Sequence, residues 1–272
     1  GQGTYFDNNL AMGMRRLSII DLNYGNQPFF SRQDSVVAFQ NGEIYNYIEI
    51  QKELKTKGYY FRSSCDTEVI SHGYDAWGMD KLLEKLDGMF AIALLDKNKK
   101  CLHLVRDRFG EKPLYFTLQK NRFAYASDLR CLLGLKWIDA LFDPISVSRY
   151  LALHYVPGDR SIIKNIYKLL PGERLALSLD EMTYKKNIYY QPFLDEPITD
   201  ISDDYLIESL EYAVKSRMIS DTPVGVFLSG GLDSSLIASI AAKHQKGIKT
   251  FSIDFDSSLH DESAHARKVA EY

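Results

Sequence analysis

An α+β region followed by the opening of an α/β region is the fold class that this 272-residue sequence predicts. Three observations carry the prediction. Short apolar runs separated by tight polar turns, over residues 89–126, read as consecutive antiparallel strands. A strand–helix–strand succession over 224–255 reads as one βαβ unit with a right-handed crossover, the seed of a parallel sheet. Between the two, residues 191–204 carry Pro192, Pro197 and a run of acids and read as a linker with its boundary near Ile198.

The elements follow in order. Gly1-Gln2-Gly3-Thr4 is polar and loop-like, and residues 11–21 read as the first strand. Residues 35–40 form the next, stopping at Asn41-Gly42, a strong turn signal. Residues 47–57 alternate Ile, Leu and charge at helical spacing, and Gly58 supplies the stop. Asp66 stands as N-cap of a helix through Trp77, and residues 81–86 give a short helix. Four strands come next, at 89–95, 101–106, 114–118 and 122–126, arranged as a meander. Asp143-Pro144 opens a helix through His154, and 173–179 is a strand. Beyond the linker lie a helix at 203–218, a strand at 224–228, a helix at 234–244, a strand at 250–255 and a helix from Glu262.

Composition narrows the function. Apolar residues make up 45% and charged residues 25%, as in globular proteins. A net charge of -3 supplies no basic field for nucleic acid. Apolar runs such as 89–95 are too short to cross a bilayer, so no membrane is expected either. No secretory signal is visible. Cys65, Cys101 and Cys131 lie far apart, with neither a disulfide framework nor a zinc pattern, which favours a reducing cytoplasm. The sequence opens in mid-loop and closes inside a helical pattern, and it reads as a piece of a longer protein.

The chemistry concentrates at Ser229-Gly230-Gly231-Leu232-Asp233-Ser234-Ser235. An apolar strand runs into this turn and a helix leaves it. Glycines let backbone approach a ligand, and the first N–H groups of a helix lack internal partners and favour an anion. Three hydroxyls add donors. Neither the G-x-x-x-x-G-K-[ST] spacing nor G-x-G-x-x-G is present. The run resembles the pyrophosphate loop of ATP-pyrophosphatases, which cleave ATP between its α- and β-phosphates.

Five motifs in the first half extend the resemblance: residues 15–21 (RRLSIID), 41–46 (NGEIYN), 64–69 (SCDTEV), 87–91 (DGMFA) and 106–115 (RDRFGEKPLY). With YVPG at 155–158 and LPG at 170–172, their order resembles the glutamine-dependent asparagine synthetases along essentially the whole chain. That resemblance implies an N-terminal-nucleophile αββα sandwich over residues 1–197, serving as a glutaminase domain. It implies the start of an adenine-nucleotide-binding synthetase domain over 198–272.

The same resemblance implies roles. Asn41 and Gly42 would form the oxyanion hole, an amide side chain and a backbone N–H for the tetrahedral intermediate. Arg16 would take the glutamine α-carboxylate through two parallel hydrogen bonds, and Glu43 and Asp66 the α-ammonium. Leu17, Ser18, Ile19 and Ile20 would complete that pocket. Leu228 and Ile253 would flank adenine and ribose, residues 229–235 would hold pyrophosphate, and Asp233 would bind Mg2+ or cap the helix. ATP and Mg2+ are therefore the expected cofactors, glutamine and aspartate or another carboxylate the expected small-molecule partners, and a homodimer is left open.

The family's nucleophile is a cysteine at position 1 whose own amine serves as base. Position 1 here is Gly1, so the polypeptide as written is expected not to hydrolyse glutamine. Cys65 is a poor substitute, since Asp66 beside it raises rather than lowers a thiol pKa. Cys101 and Cys131 read as small core residues, residues 106–108 as a structural charge cluster, and His260, Asp261, Glu262 and His265 as a helix start rather than a metal site. Three other readings stay open: an amidotransferase for a polysaccharide or peptide acceptor, a β-lactam-forming relative, and a sensor that binds without turnover.

Overall fold

A computed structural model describes residues 1–7, 10–192, 201–253 and 262–272. The chain divides into two compact units, Gly1–Asp195 and Glu196–Tyr272. Of the linker reading at 191–204, residues 193–200 lie outside the described residues, as do His260 and Asp261.

In the first unit the elements are β1 (Gln2–Asp7), β2 (Leu10–Arg15), β3 (Phe29–Phe30), β4 (Val36–Ile44), α1 (Tyr47–Thr56), α2 (Glu68–Lys85), β5 (Gly88–Asp96) and β6 (Cys101–Arg106). They continue as β7 (Tyr115–Gln119), β8 (Arg122–Ala126), α3 (Leu129–Leu133), α4 (Pro144–Leu153), β9 (Tyr167–Lys168), β10 (Glu173–Ser178) and β11 (Thr183–Ile188). A six-stranded sheet runs in the order β11-β10-β6-β5-β4-β3, all pairs antiparallel.

Period-two alternation explains the layering. Val36 and Ala38 of β4, with Phe90, Ile92 and Leu94 of β5, pack with Ile50 and Leu54 of α1 and Val69 and Ile70 of α2. Val37, Phe39, Ala91, Ala93 and Leu95 face the other way, against Met12 of β2 and Phe116 of β7. Both faces are covered, so β4 and β5 read as unbroken apolar runs. The opposing layer consists of the β1-β2 pair and the three-stranded β8-β7-β9 sheet. A third cluster, Leu132, Ile138, Ile163 and Ile166, takes partly buried Tyr115, Ala124 and Ala126 of β7 and β8 against α3. Helix, sheet, sheet and helix follow one another, as an αββα sandwich requires.

Several local expectations are corrected. Residues 2–7 are a strand, not a loop, because they pair with β2 from Gln2–Arg15 to Asp7–Leu10. That ladder ends at Arg15, so 16–21 is a loop rather than the end of a strand. Strand β4 does not stop at Asn41-Gly42; its pairing with β5 continues to Ile44–Gly88. The meander divides: β5-β6 and β7-β8 lie in different sheets. Helix α2 is broken by a non-helical Gly78, which separates the two helices read from the sequence.

The second unit contains α5 (Asp203–Ser216), β12 (Gly225–Phe227), α6 (Leu232–His244), β13 (Lys249–Phe251) and α7 (Ser263–Glu271). Strands β12 and β13 are parallel, with α6 between them in sequence. Leu228, Ala238 and Ala266 form the small core, and His244 pairs with Glu211 at 2.9 Å, tying α6 to α5.

Candidate functional site

The first unit gathers its polar residues where three segments meet: the loop after β2, the far end of β4 and the turn before α2. Gly42 lies inside the ladder with φ 141°, and a Cβ there would fall 2.0 Å from the Met89 carbonyl oxygen. Only glycine fits that approach of strand to strand. Asn41 beside it is exposed.

Arg16 is held through both backbone and side chain. Its N–H donates to Gly1 O at 2.8 Å. Its guanidinium donates to the carbonyls of Ile20 and Asp21 and to Ser18 Oγ, and one nitrogen lies 3.6 Å from Cys65 Sγ. The 17–20 segment thus curls around the Arg16 side chain. Leu17 points outward, almost fully exposed at 93%.

Asp66 is not an N-cap; Thr67 occupies that position and makes no side-chain cap bond. The Asp66 carboxylate turns inward instead. Its Oδ2 accepts from Ile44 N–H at 2.9 Å and from Gln40 Nε2 at 3.2 Å, while Cys65 Sγ lies 3.4 Å from Oδ1. Burial pushes its pKa up, and the hydrogen bonds from Ile44, Cys65 and Gln40 offset part of that rise. Burial also raises Glu43, the Asp66 charge adds to it, and Lys112 opposes both. Two acids therefore share one electrostatic environment, next to the end of β4. Cys65 is fully buried, and burial, then Asp66, push its thiol up to about 12.

Four supports were not read from the sequence. Gln27 clamps β4 to the α2 turn: its amide donates to Gln40 O and Thr67 Oγ1, and its Oε1 accepts from Gln40 N–H at 2.7 Å. Gln40 orients Asp66, and its own Oε1 is buried with no partner among the described residues. Glu68 fixes the approach to Asp66, accepting from the N–H groups of Arg62 and Ser63. Asp21 links two loops. Apart from those of Glu68 and the bond from Tyr24 N–H to Asp21, these contacts are not local in sequence, and only the pairing of distant segments would have revealed them. The 106–108 cluster is structural: Arg106 donates to the carbonyls of Gly110, Lys112 and Leu169, and Asp107 accepts from the N–H groups of Phe109, Glu111 and Lys112.

In the second unit the Gly–Ser turn joins β12 to α6. Leu228 extends the parallel ladder, donating its N–H to Phe251 O at 2.8 Å. Gly230 has φ 88°, and a Cβ there would come 2.6 Å from the Ala266 nitrogen. Gly231 caps α6 without a side-chain bond, so Leu232, Asp233 and Ser234 present the first-turn N–H groups. Ser229 Oγ and Ser234 Oγ lie 3.0 Å apart, and Ser234 Oγ reaches Gly231 O at 3.2 Å, which shapes the turn. A cavity of about 480 Å³ opens beside it, bordered by Leu228, Ser229, Ser234, Ser252, Ile253 and Glu262. Leu228 is buried, Asp233 exposed, and Ile253 exposed two residues beyond β13. The ends of both parallel strands therefore meet a helix N-terminus, an arrangement suited to a polyanion with an apolar base. No group of three or more potential metal ligands occurs among the described residues.

Comparison with known proteins accords with this division. Residues 1–190 match the family described as glutamine amidotransferase domain. The chain belongs to that family. Residues 206–272 match the asparagine synthase family. Asparagine synthetase [glutamine-hydrolyzing] 1 of Bacillus subtilis (strain 168) is 35% identical over 98% of this chain and 42% of its own length. A putative asparagine synthetase of Mycobacterium tuberculosis (strain ATCC 25618 / H37Rv) is 36% identical over 91% of the chain and 40% of its own length. Amidase chry2 of Gibberella zeae is 30% identical over the whole chain and 43% of its own length. The chain thus spans less than half the length of these three relatives. Among solved structures, the glutamine phosphoribosylpyrophosphate amidotransferase of B. subtilis aligns over 90% of this chain and 52% of its own, with a TM-score of 0.46 and 19% identity. No described helix is long and apolar enough to cross a membrane.

Proposed function

We propose that this amidotransferase chain serves a glutamine-dependent asparagine synthetase, with residues 1–197 as its glutaminase domain and 198–272 as the start of its synthetase domain. The overall reaction would convert ATP, aspartate, glutamine and water to asparagine, glutamate, AMP and pyrophosphate. The observation that carries the reading is the glycine–serine turn at the helix N-terminus after β12, in the same chain as an amidotransferase domain.

Each unit would contribute a half-reaction. In the first, Arg16 pairs with the glutamine α-carboxylate, and Asp66 and Glu43 with its α-ammonium. Asn41 and Gly42 stabilise the oxyanion as a thiolate attacks the side-chain amide. Gly1 supplies no thiol, and the buried Cys65, pushed up to about 12, is unsuited to the task. In the second, the donor set fits a pyrophosphate group: first-turn amides and two hydroxyls that already lie together, with exposed Asp233 in the turn and Glu262 at the border of the cavity. Asp233 would hold Mg2+, which neutralises phosphate charge when bound. Leu228 and Ile253 would supply the apolar walls for adenine and ribose. Once the acceptor carboxylate has displaced pyrophosphate, ammonia attacks the acyl carbon and AMP leaves.

Three free cysteines fit a reducing cytoplasm, and dimerisation remains part of the proposal. A second reading takes another carboxylate as acceptor; a relative of this chain, amidase chry2, bears a name other than asparagine synthetase. ATP–pyrophosphate exchange in the complete protein decides between them. Exchange that depends on added aspartate supports the first reading, and exchange that ignores aspartate but follows another carboxylate supports the second.

A further inference from the structure

Asp21 has no role in the pocket as assigned, yet it touches both sides of it. Its backbone is left-handed, with φ 52°, a conformation aspartate tolerates better than most residues. One carboxylate oxygen accepts from Tyr24 N–H at 2.8 Å, closing the loop that holds Arg16. The other accepts from Ser64 N–H at 2.8 Å, across 43 positions of sequence. Its own carbonyl accepts from Arg16 Nη1 at 3.3 Å and from Gly25 N–H at 3.1 Å. Ser64 immediately precedes Cys65 and Asp66, and Cys65 Sγ lies 3.6 Å from Arg16 Nη2.

We propose that Asp21 is a positioning residue whose carboxylate joins the Arg16 loop to the segment leading into Asp66, and so sets the spacing between the guanidinium and the acid. An α-amino acid presents a carboxylate and an ammonium on one carbon, so a pocket that pairs with both depends on that spacing. Rigid spacing rewards a ligand carrying both groups and penalises one lacking either. The inference rests on the glutamine-pocket reading of Arg16 and Asp66. Asp21 itself touches neither substrate nor the reacting atoms.

The test uses the complete protein, with glutamine and glutaramate (glutamine without its α-amine) as paired substrates. Asp21→Ala is expected to raise KM for glutamine about tenfold with kcat within about twofold. The preference for glutamine over glutaramate is expected to narrow with it. Asp21→Asn, which keeps one acceptor oxygen, is expected to fall between wild type and Asp21→Ala. The ammonia-driven synthesis is expected to be unchanged in both. Wild-type KM and wild-type preference in Asp21→Ala would overturn the proposal. So would parallel losses of the glutamine- and ammonia-driven rates in the milder Asp21→Asn, which would mark a general structural role. Arg16→Ala separates the two levels. If it too leaves KM unchanged, the glutamine pocket itself is misassigned; if only Asp21→Ala does, this inference alone fails.

Discussion

The two candidate sites are built in opposite ways. The turn after β12 takes seven consecutive residues, and its geometry follows from two glycines and a helix start. The pocket at the end of β4 is assembled from residues 16–21, 27, 40–44 and 62–68, held by bonds between segments up to 49 positions apart. The turn offers unpaired donors to solvent. The pocket buries a carboxylate and surrounds it with donors. A local site tolerates changes elsewhere but fails when one of its own residues changes. A non-local site distributes its requirement over residues that never meet the ligand.

The largest effect is expected in the local site. Ser234→Ala or Asp233→Ala in the complete protein should each lower ATP–pyrophosphate exchange by about a hundredfold or more, while glutamine hydrolysis persists. Near-normal exchange in both would remove the turn from the chemistry.

A smaller and more graded effect is expected at Asp66. Burial raises Asp66 and Glu43 in the folded protein. The folded state then binds protons more tightly than the unfolded one. The stability these acids contribute is present below their unfolded value of about 4 and is lost as pH rises through their folded values. Asp66→Asn removes the buried charge, so it should raise Tm by a few degrees at neutral pH while raising KM for glutamine at least tenfold. Glutamine binding needs both acids ionised, so KM in the unmutated protein should fall as pH rises above the ordinary carboxylate range. Thermal melts and a pH series of KM check both halves. An Asp66→Asn variant that melts earlier and binds glutamine normally would reverse the account of this residue.

The smallest effect is expected at the thiols. Cys65 is fully buried and its thiol is pushed up to about 12, whereas Cys131 is exposed and Cys101 only half-buried, so neither is the core residue expected from the sequence. Brief alkylation followed by peptide mass mapping should label Cys131 and leave Cys65 unmodified. In the complete protein, Cys65→Ala should keep the glutamine-hydrolysis kcat within about threefold. Preferential labelling of Cys65, with loss of hydrolysis, would show that the pocket holds a reactive thiol after all.

Legibility in the sequence follows the same division. The strand–turn–helix at 224–244 was readable because backbone need and residue type coincide there: glycine at Gly230, and a helix starting two residues earlier than expected. Strands β5, β6, β8 and β10 were readable from their apolar runs and turns. Asn41-Gly42 misled because the same dipeptide suits a two-residue hairpin and a strand that another backbone approaches closely. The deciding neighbour, Met89, lies far along the chain. Asp66 looked like a cap because caps are local, while its donors, Gln40 and the Ile44 N–H, sit more than twenty positions away. Strand β1 was missed for the same reason: Gln2-Gly3-Thr4 has no strand signal of its own and is ordered by pairing with β2.

Glutamine labelled with 15N in its side-chain amide, incubated with the complete protein, ATP and aspartate, tests the central claim most directly. The two sites acting together predict 15N in the side chain of newly formed asparagine, with one AMP and one pyrophosphate per label transferred. Label found only as free ammonium, or ATP converted to ADP, would contradict it.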